Sequence, residues 1–160
     1  MIRNIIILDD AGTTLFIANF GECHSFGDNP ESMAGFISAL HSFGHDLSGS
    51  GVDEIQFGGL YLILLHRQDL IFAIAADDDA IDKHKMKLGH ISDLFIETFD
   101  ADLAKKTYRD DMSIFSSFRA YLLEKNLVMK NCGKNEDCSI CPNRDKTLPL
   151  EDIKESTRIH

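Results

Sequence analysis

The chain predicts an α+β fold, a five-stranded antiparallel sheet flanked by helices in the order β-β-α-β-β-β-α-α. Three observations carry that prediction. Five short apolar runs are separated by turns rich in Gly and Asp. The longer stretches between and after them repeat apolar residues every three or four positions. The last two strand-like runs, beginning at Leu60 and Leu70, are nearly continuous in apolar residues, as strands covered on both faces are.

Ile5 to Leu8 and Leu15 to Phe20 are extended segments joined by Asp9-Asp10-Ala11-Gly12-Thr13-Thr14, so the pair forms an antiparallel hairpin. In the first helix Asp28 or Asn29 serves as cap, Pro30 sits where its missing N–H costs nothing, and Glu31 faces the positive end. Met33, Phe36, Ile37, Leu40, Phe43 and Leu47 then fall on one face, and Ser48-Gly49-Ser50-Gly51 ends the pattern. Val52 to Phe57, Leu60 to His66 and Leu70 to Ala76 form a meander with turns at Gly58-Gly59 and Arg67-Gln68-Asp69. A second helix starts near Asp79, with Leu88, Ile91, Leu94, Phe95 and Phe99 inward. Gly89 interrupts it at a cost of roughly 1 kcal/mol relative to Ala, which implies close packing there. A last helix, about Asp110 to Leu127, carries Met112, Phe115, Phe118, Tyr121 and Leu122.

At 160 residues the chain suits one domain, residues 1–128, with a C-terminal extension, residues 129–160. The first part holds 20 acidic and 10 basic side chains, and the extension holds 6 of each. An acidic body repels phosphate backbones, which argues against general nucleic-acid binding and against charge-held membrane attachment. One local exception is a basic patch built from Lys83, Lys85 and Lys87 with Lys105, Lys106 and Arg109. No run approaches the length of a membrane span, and the start runs straight into a strand without a secretory pattern. The expectation is a cytoplasmic protein, reaching membranes only through a partner.

The element order and several local segments resemble the longin domain, a profilin-like fold. Asp9-Asp10-Ala11-Gly12-Thr13-Thr14-Leu15-Phe16 is similar to its opening hairpin, and Phe36-Ile37-Ser38-Ala39-Leu40-His41-Ser42-Phe43 to its first helix. Ile55-Gln56-Phe57-Gly58-Gly59-Leu60-Tyr61 resembles its third-to-fourth strand turn, and Leu70-Ile71-Phe72-Ala73-Ile74 its fifth strand. The likeness covers roughly residues 3 to 126 and is strongest to the free-standing longin-like proteins of archaea. The roadblock domain is the rival, although it normally begins with a helix. The resemblance implies a non-enzymatic interaction module, an adaptor or regulator of a small GTPase or a membrane-trafficking partner. Its partners would include another longin or roadblock domain or a second copy of the chain. It transfers no fixed functional residue, and this chain lacks a SNARE coiled coil.

On that reading Phe43, Phe57 and Tyr61 are the candidate partner-binding residues, on the first helix or a strand edge, with Gly58-Gly59 permitting close backbone approach. Other chemistry is thinly represented. The Asp9-Asp10-Ala11-Gly12-Thr13 turn shares letters with the Asp-x-Asp-Gly-Thr of haloacid-dehalogenase-type phosphatases, but Ala11 replaces the second carboxylate. No Gly-Lys-Thr or Gly-Lys-Ser loop is present, so no nucleotide cofactor is expected. Asp77-Asp78-Asp79 reads as a solvated helix cap, and His41 and His45, one helical turn apart, lack a zincin context.

The extension is richer. Cys132, Cys138 and Cys141 form Cys-x5-Cys-x2-Cys-Pro. The spacing admits a structural zinc knuckle, a redox pair in a thiol-based sensor or oxidoreductase, an iron–sulfur cluster, or free thiols. Zinc needs a fourth ligand, from Cys23, His160, an acidic side chain or a second subunit. A purely structural subunit of a larger complex is the third functional alternative.

Overall fold

The computed structural model describes residues 1–20, 30–49, 51, 53–77 and 80–130. The strands are β1 (Ile2–Asp9), β2 (Thr14–Asn19), β3 (Glu54–Phe57), β4 (Leu60–Arg67) and β5 (Leu70–Asp77). The helices are α1 (Pro30–Ser48), α2 (Ile81–Lys105) and α3 (Phe118–Glu124). One sheet runs β2-β1-β5-β4-β3 with every neighbour antiparallel. This is the α+β arrangement, a five-stranded antiparallel sheet with helices, that the element order predicts.

The hairpin β1–β2 and the meander β3–β4–β5 are joined by β1 pairing with β5, for example Ile5 opposite Ile74 and Ile7 opposite Phe72. Both joining strands are central, and β1 is buried along all eight residues. Alternation along each strand divides the core in two. Ile5, Ile7, Ile63, Phe72 and Ile74 face the larger layer with Leu88, Ile91, Phe95 and Phe99 of α2 and with Phe115, Phe118 and Leu122. Ile6, Leu8, Leu62, Leu64, Ile71 and Ala73 face the smaller layer with Ala34 and Ile37 of α1.

The larger layer is bound by aromatic edges. The Phe95 ring lies 5.9 Å from Phe72, 5.0 Å from Phe99, 5.3 Å from Phe115 and 5.0 Å from Phe118, centroid to centroid. Mostly inclined packing of this kind satisfies the ring quadrupoles and adds to the area buried.

The structure departs from expectation at four places. The last helix is broken: residues Thr107–Arg109 and Met112–Ser117 are 3₁₀ turns, and only Phe118–Glu124 is α-helical. The cause is local competition, since the Ser116 hydroxyl donates to Ser113 O at 2.7 Å and Asp111 accepts from Ser113 N–H at 3.0 Å. Asp77 ends β5 instead of capping a helix. It accepts from Arg3 Nε at 2.6 Å and from the Met1 ammonium at 3.1 Å, tying the first strand to the fifth.

Gly89 is not at a close approach, because a Cβ there would meet nothing within 4 Å. The lysines do not form one patch. Lys85 and Lys105 are twenty residues apart on α2, about 30 Å at 1.5 Å per residue. Lys85 instead pairs with Glu54 of β3 at 2.8 Å.

Candidate protein-binding surface

Helix α1 is nineteen residues long, yet among its described side chains only Ala34 and Ile37 are buried, with Met33, Leu40 and His41 half-buried. The apolar stripe is wider than the sheet face it packs on. Taking 100° per residue, Phe36, Phe43 and Leu47 project about 80–120° round the helix from Ile37. They are 43%, 65% and 72% exposed. The sequence pattern groups all six apolar positions on one face, and the structure splits that face into a packed edge and a more exposed flank. Large exposed aromatic and aliphatic side chains clustered on one helix are the usual mark of a contact surface.

The packed edge continues into β4 through histidines. The His41 ring lies 4.9 Å from that of His66, inclined by 42°. Burial, together with the charges of His66 and then His45, pushes the His41 imidazole below its ordinary pKa. Gly51 sits directly against this ring, where a Cβ would come within 2.6 Å of His41 Cε1 and Nδ1. His41 and His66 therefore form a contact between α1 and β4. Among the described residues no group of three or more His, Cys, Asp or Glu is placed to hold a metal ion.

The strand edges differ. At β2, Arg119 donates to the Asn19 carbonyl at 2.9 Å while its guanidinium lies over the Phe20 ring at 4.8 Å, which covers that end. At the opposite side β3 is the terminal strand among the described residues, paired with β4 from Glu54 opposite Ile63 to Phe57 opposite Leu60. Gly58 turns into β4 with φ +56°. A terminal strand offers unpaired backbone groups to another strand.

Of the candidate residues, Phe43 stands on the exposed flank of α1. Tyr61 packs against the α2-side core, across the sheet from α1. Phe57 closes β3 beside the Gly58-Gly59 turn. Phe43 and Tyr61 therefore belong to opposite sides of the sheet. Leu47 and Phe36 are the flank residues that the candidate set left out; their membership in the same stripe as Phe43 was the available signal. Cys23, Asp28, Asn29, Asp78, Asp79, Cys132, Cys138, Cys141 and His160 lie outside the described residues, and with them the helix caps and the zinc proposal.

The opening turn is structural. Asp9 Oδ1 accepts from Ala11 N–H at 3.0 Å and Thr13 N–H at 2.8 Å, and Gly12 has φ +81° with Ser38 Oγ of α1 only 3.3 Å from where a Cβ would stand. Among the described residues no helix is long and apolar enough to cross a membrane.

No protein-family model and no curated protein matches the chain. Among solved structures, the chain is similar to a Roadblock/LC7 domain from Streptomyces avermitilis, with a TM-score of 0.44 and 17% identity. The match spans 64% of this chain and 86% of that one, and a likeness at that level says nothing about what this chain binds.

Proposed function

We propose that the chain is a non-enzymatic protein-interaction module that docks its partner on the exposed flank of α1. One observation carries this reading. Phe43 and Leu47 are 65% and 72% exposed on a helix whose opposite edge already supplies its packing. Burying two such side chains at an interface would gain roughly 1.5–3 kcal/mol each in transfer free energy before association costs. The terminal strand β3 gives a second copy, or another domain of the same fold, a further place to pair. The finer reading, an adaptor or regulator of a small GTPase or trafficking partner, is supported by the longin resemblance of the sequence.

Pull-down of small GTPases loaded with GDP or with a non-hydrolysable GTP analogue tests the finer reading. Retention that depends on the nucleotide and is lost in Phe43→Ser/Leu47→Ser supports it. Equal retention in both nucleotide states, or retention untouched by the substitution, contradicts it.

For the extension, the Cys-x5-Cys-x2-Cys spacing supports a zinc knuckle on Cys132, Cys138 and Cys141. Elemental analysis of protein purified without chelator would then find about one zinc per chain with protected thiols, or one per dimer for a shared site. Metal-free protein with freely reactive thiols removes the proposal.

A further inference from the structure

We propose that the contact between His41 and His66 is a proton-sensitive latch: proton uptake there releases the second half of α1, residues 41–48, and with it the docking side chains Phe43 and Leu47. The consequence for docking rests on the function proposed above; the release itself does not.

The two halves of α1 are held differently. Ala34 and Ile37 bury the first half against the sheet, with Met33 half-buried beside them. From Ser42 to Ser48 every residue is exposed except the half-buried Gly44. This half meets the sheet at the half-buried ring of His41, 4.9 Å from that of His66 on β4, with Gly51 directly against the same ring. The bonds at its end, Gly49 N–H to His45 O at 2.8 Å and Ser48 Oγ to Gly44 O at 2.7 Å, are local to the helix. Two turns of helix do not hold their form in water without an anchor.

The surroundings make a proton costly at this contact. On the α1 side of the sheet, Leu62 and Leu64 of β4 and Ile71 and Ala73 of β5 are apolar. Arg67 is turned to the other side, where Ser92 and Asp93 of α2 accept from it. Glu54 of β3 is paired there too, with Lys85 of α2. On α1 itself, His45 stands one turn after His41, and Asp46 about 140° round the helix from it. Burial comes first in lowering the His41 pKa, followed by the charges of His66 and His45, both imidazoles. Asp46, Asp53 and Asp69, the carboxylates next along the chain, do not offset them. Two cationic rings in contact repel, and the weakly held half of α1 is the part free to leave. The contact is therefore intact above about pH 6.5 and is lost as the pH falls below it.

Amide hydrogen exchange of the full chain at pH 7.5 and 5.5, corrected for its intrinsic pH dependence, tests the release. Protection at residues 42–48 should fall at least about fivefold at the lower pH, while that at residues 34–38 changes by less than about twofold. His41→Phe/His66→Phe keeps two rings in contact without a titrating proton and should abolish the difference. His66→Gln, at an exposed position, removes the cationic neighbour and should reduce it. Equal loss in both halves, no loss in residues 42–48, or an undiminished loss in His66→Gln overturns the proposal. For docking, a crosslink from position 43 that weakens at pH 5.5 supports the consequence, and one of equal yield at both pH values contradicts it. Release of residues 42–48 with no crosslink at either pH overturns the docking reading and leaves the latch standing.

Discussion

The imidazole of His41 on α1 rests against that of His66 on β4, centroids 4.9 Å apart, and joins the lightly buried helix to the sheet. Two imidazoles this close tolerate one another best when uncharged. Desolvation, reinforced by His66 and His45, lowers the His41 pKa from its ordinary value of about 6.5.

The sign of the pH effect follows from that shift. Below about pH 6.5 the unfolded chain takes up a proton at His41 before the folded chain does. The stability associated with neutral His41 is therefore complete above that pH and is lost as the pH falls towards the lower folded value. Thermal melts between pH 7.5 and 5 should show a decline that is shallower in His41→Phe, about those pH values being the range in which histidine titrates. An identical pH profile in both proteins would exclude His41 as the source.

Gly51→Ala should disturb the same contact. The new methyl group would stand 2.6 Å from two atoms of the His41 ring, so the ring or the backbone at Gly51 must shift. The expected cost is about 1–2 kcal/mol, within the range for forced rotamer changes. Denaturant unfolding measures it, and a neutral effect would mean that the ring has room to move.

Gly89→Ala should do the opposite. Gly89 lies inside α2 and a Cβ there meets no atom within 4 Å, so the substitution gains helix propensity without a clash. Stability should rise by roughly 0.5–1 kcal/mol. A loss would show that something packs on this position.

Phe95→Ala should be among the most damaging substitutions in the larger layer. The ring is fully buried and contacts Phe72, Phe99, Phe115 and Phe118. A cost of about 3–5 kcal/mol is expected from lost transfer and the cavity left behind. A midpoint shift within the range of a surface substitution would contradict the packing described.

Asp77→Asn should loosen the first strand. Arg3 is buried, and its guanidinium depends on Asp77 at the end of β5. Leaving that charge poorly paired should cost roughly 2–4 kcal/mol, less than a fully buried pair because Asp77 retains some solvent. Faster amide exchange at Ile2 to Asn4 would locate the effect.

Much of the fold was legible because periodicity and turn chemistry agree locally. Gly12 and Gly58-Gly59 mark turns, Pro30 opens α1, and the apolar runs at Leu60 and Leu70 mark inner strands. The pairing of β1 with β5 was not legible in the same way, since it joins residues such as Ile5 and Ile74 that no local rule connects. The broken last helix was masked by a helical spacing of Phe115, Phe118 and Leu122, although Ser113, Ser116 and Ser117 supply the competing hydrogen bonds.

The stripe on α1 placed Phe43 among its apolar, periodic positions, but periodicity does not say how wide a strip the sheet will cover, so its 65% exposure was not legible.

The most direct test places a photo-crosslinking residue at position 43 and, in a second protein, at position 86, where Met86 is equally exposed on α2. Neither change should alter stability by more than about 0.5 kcal/mol, as both sites face solvent. Irradiation in the native host should yield a discrete protein adduct from position 43 and none from position 86. No adduct from position 43, or the same adducts from both, would contradict the flank of α1 as the docking surface.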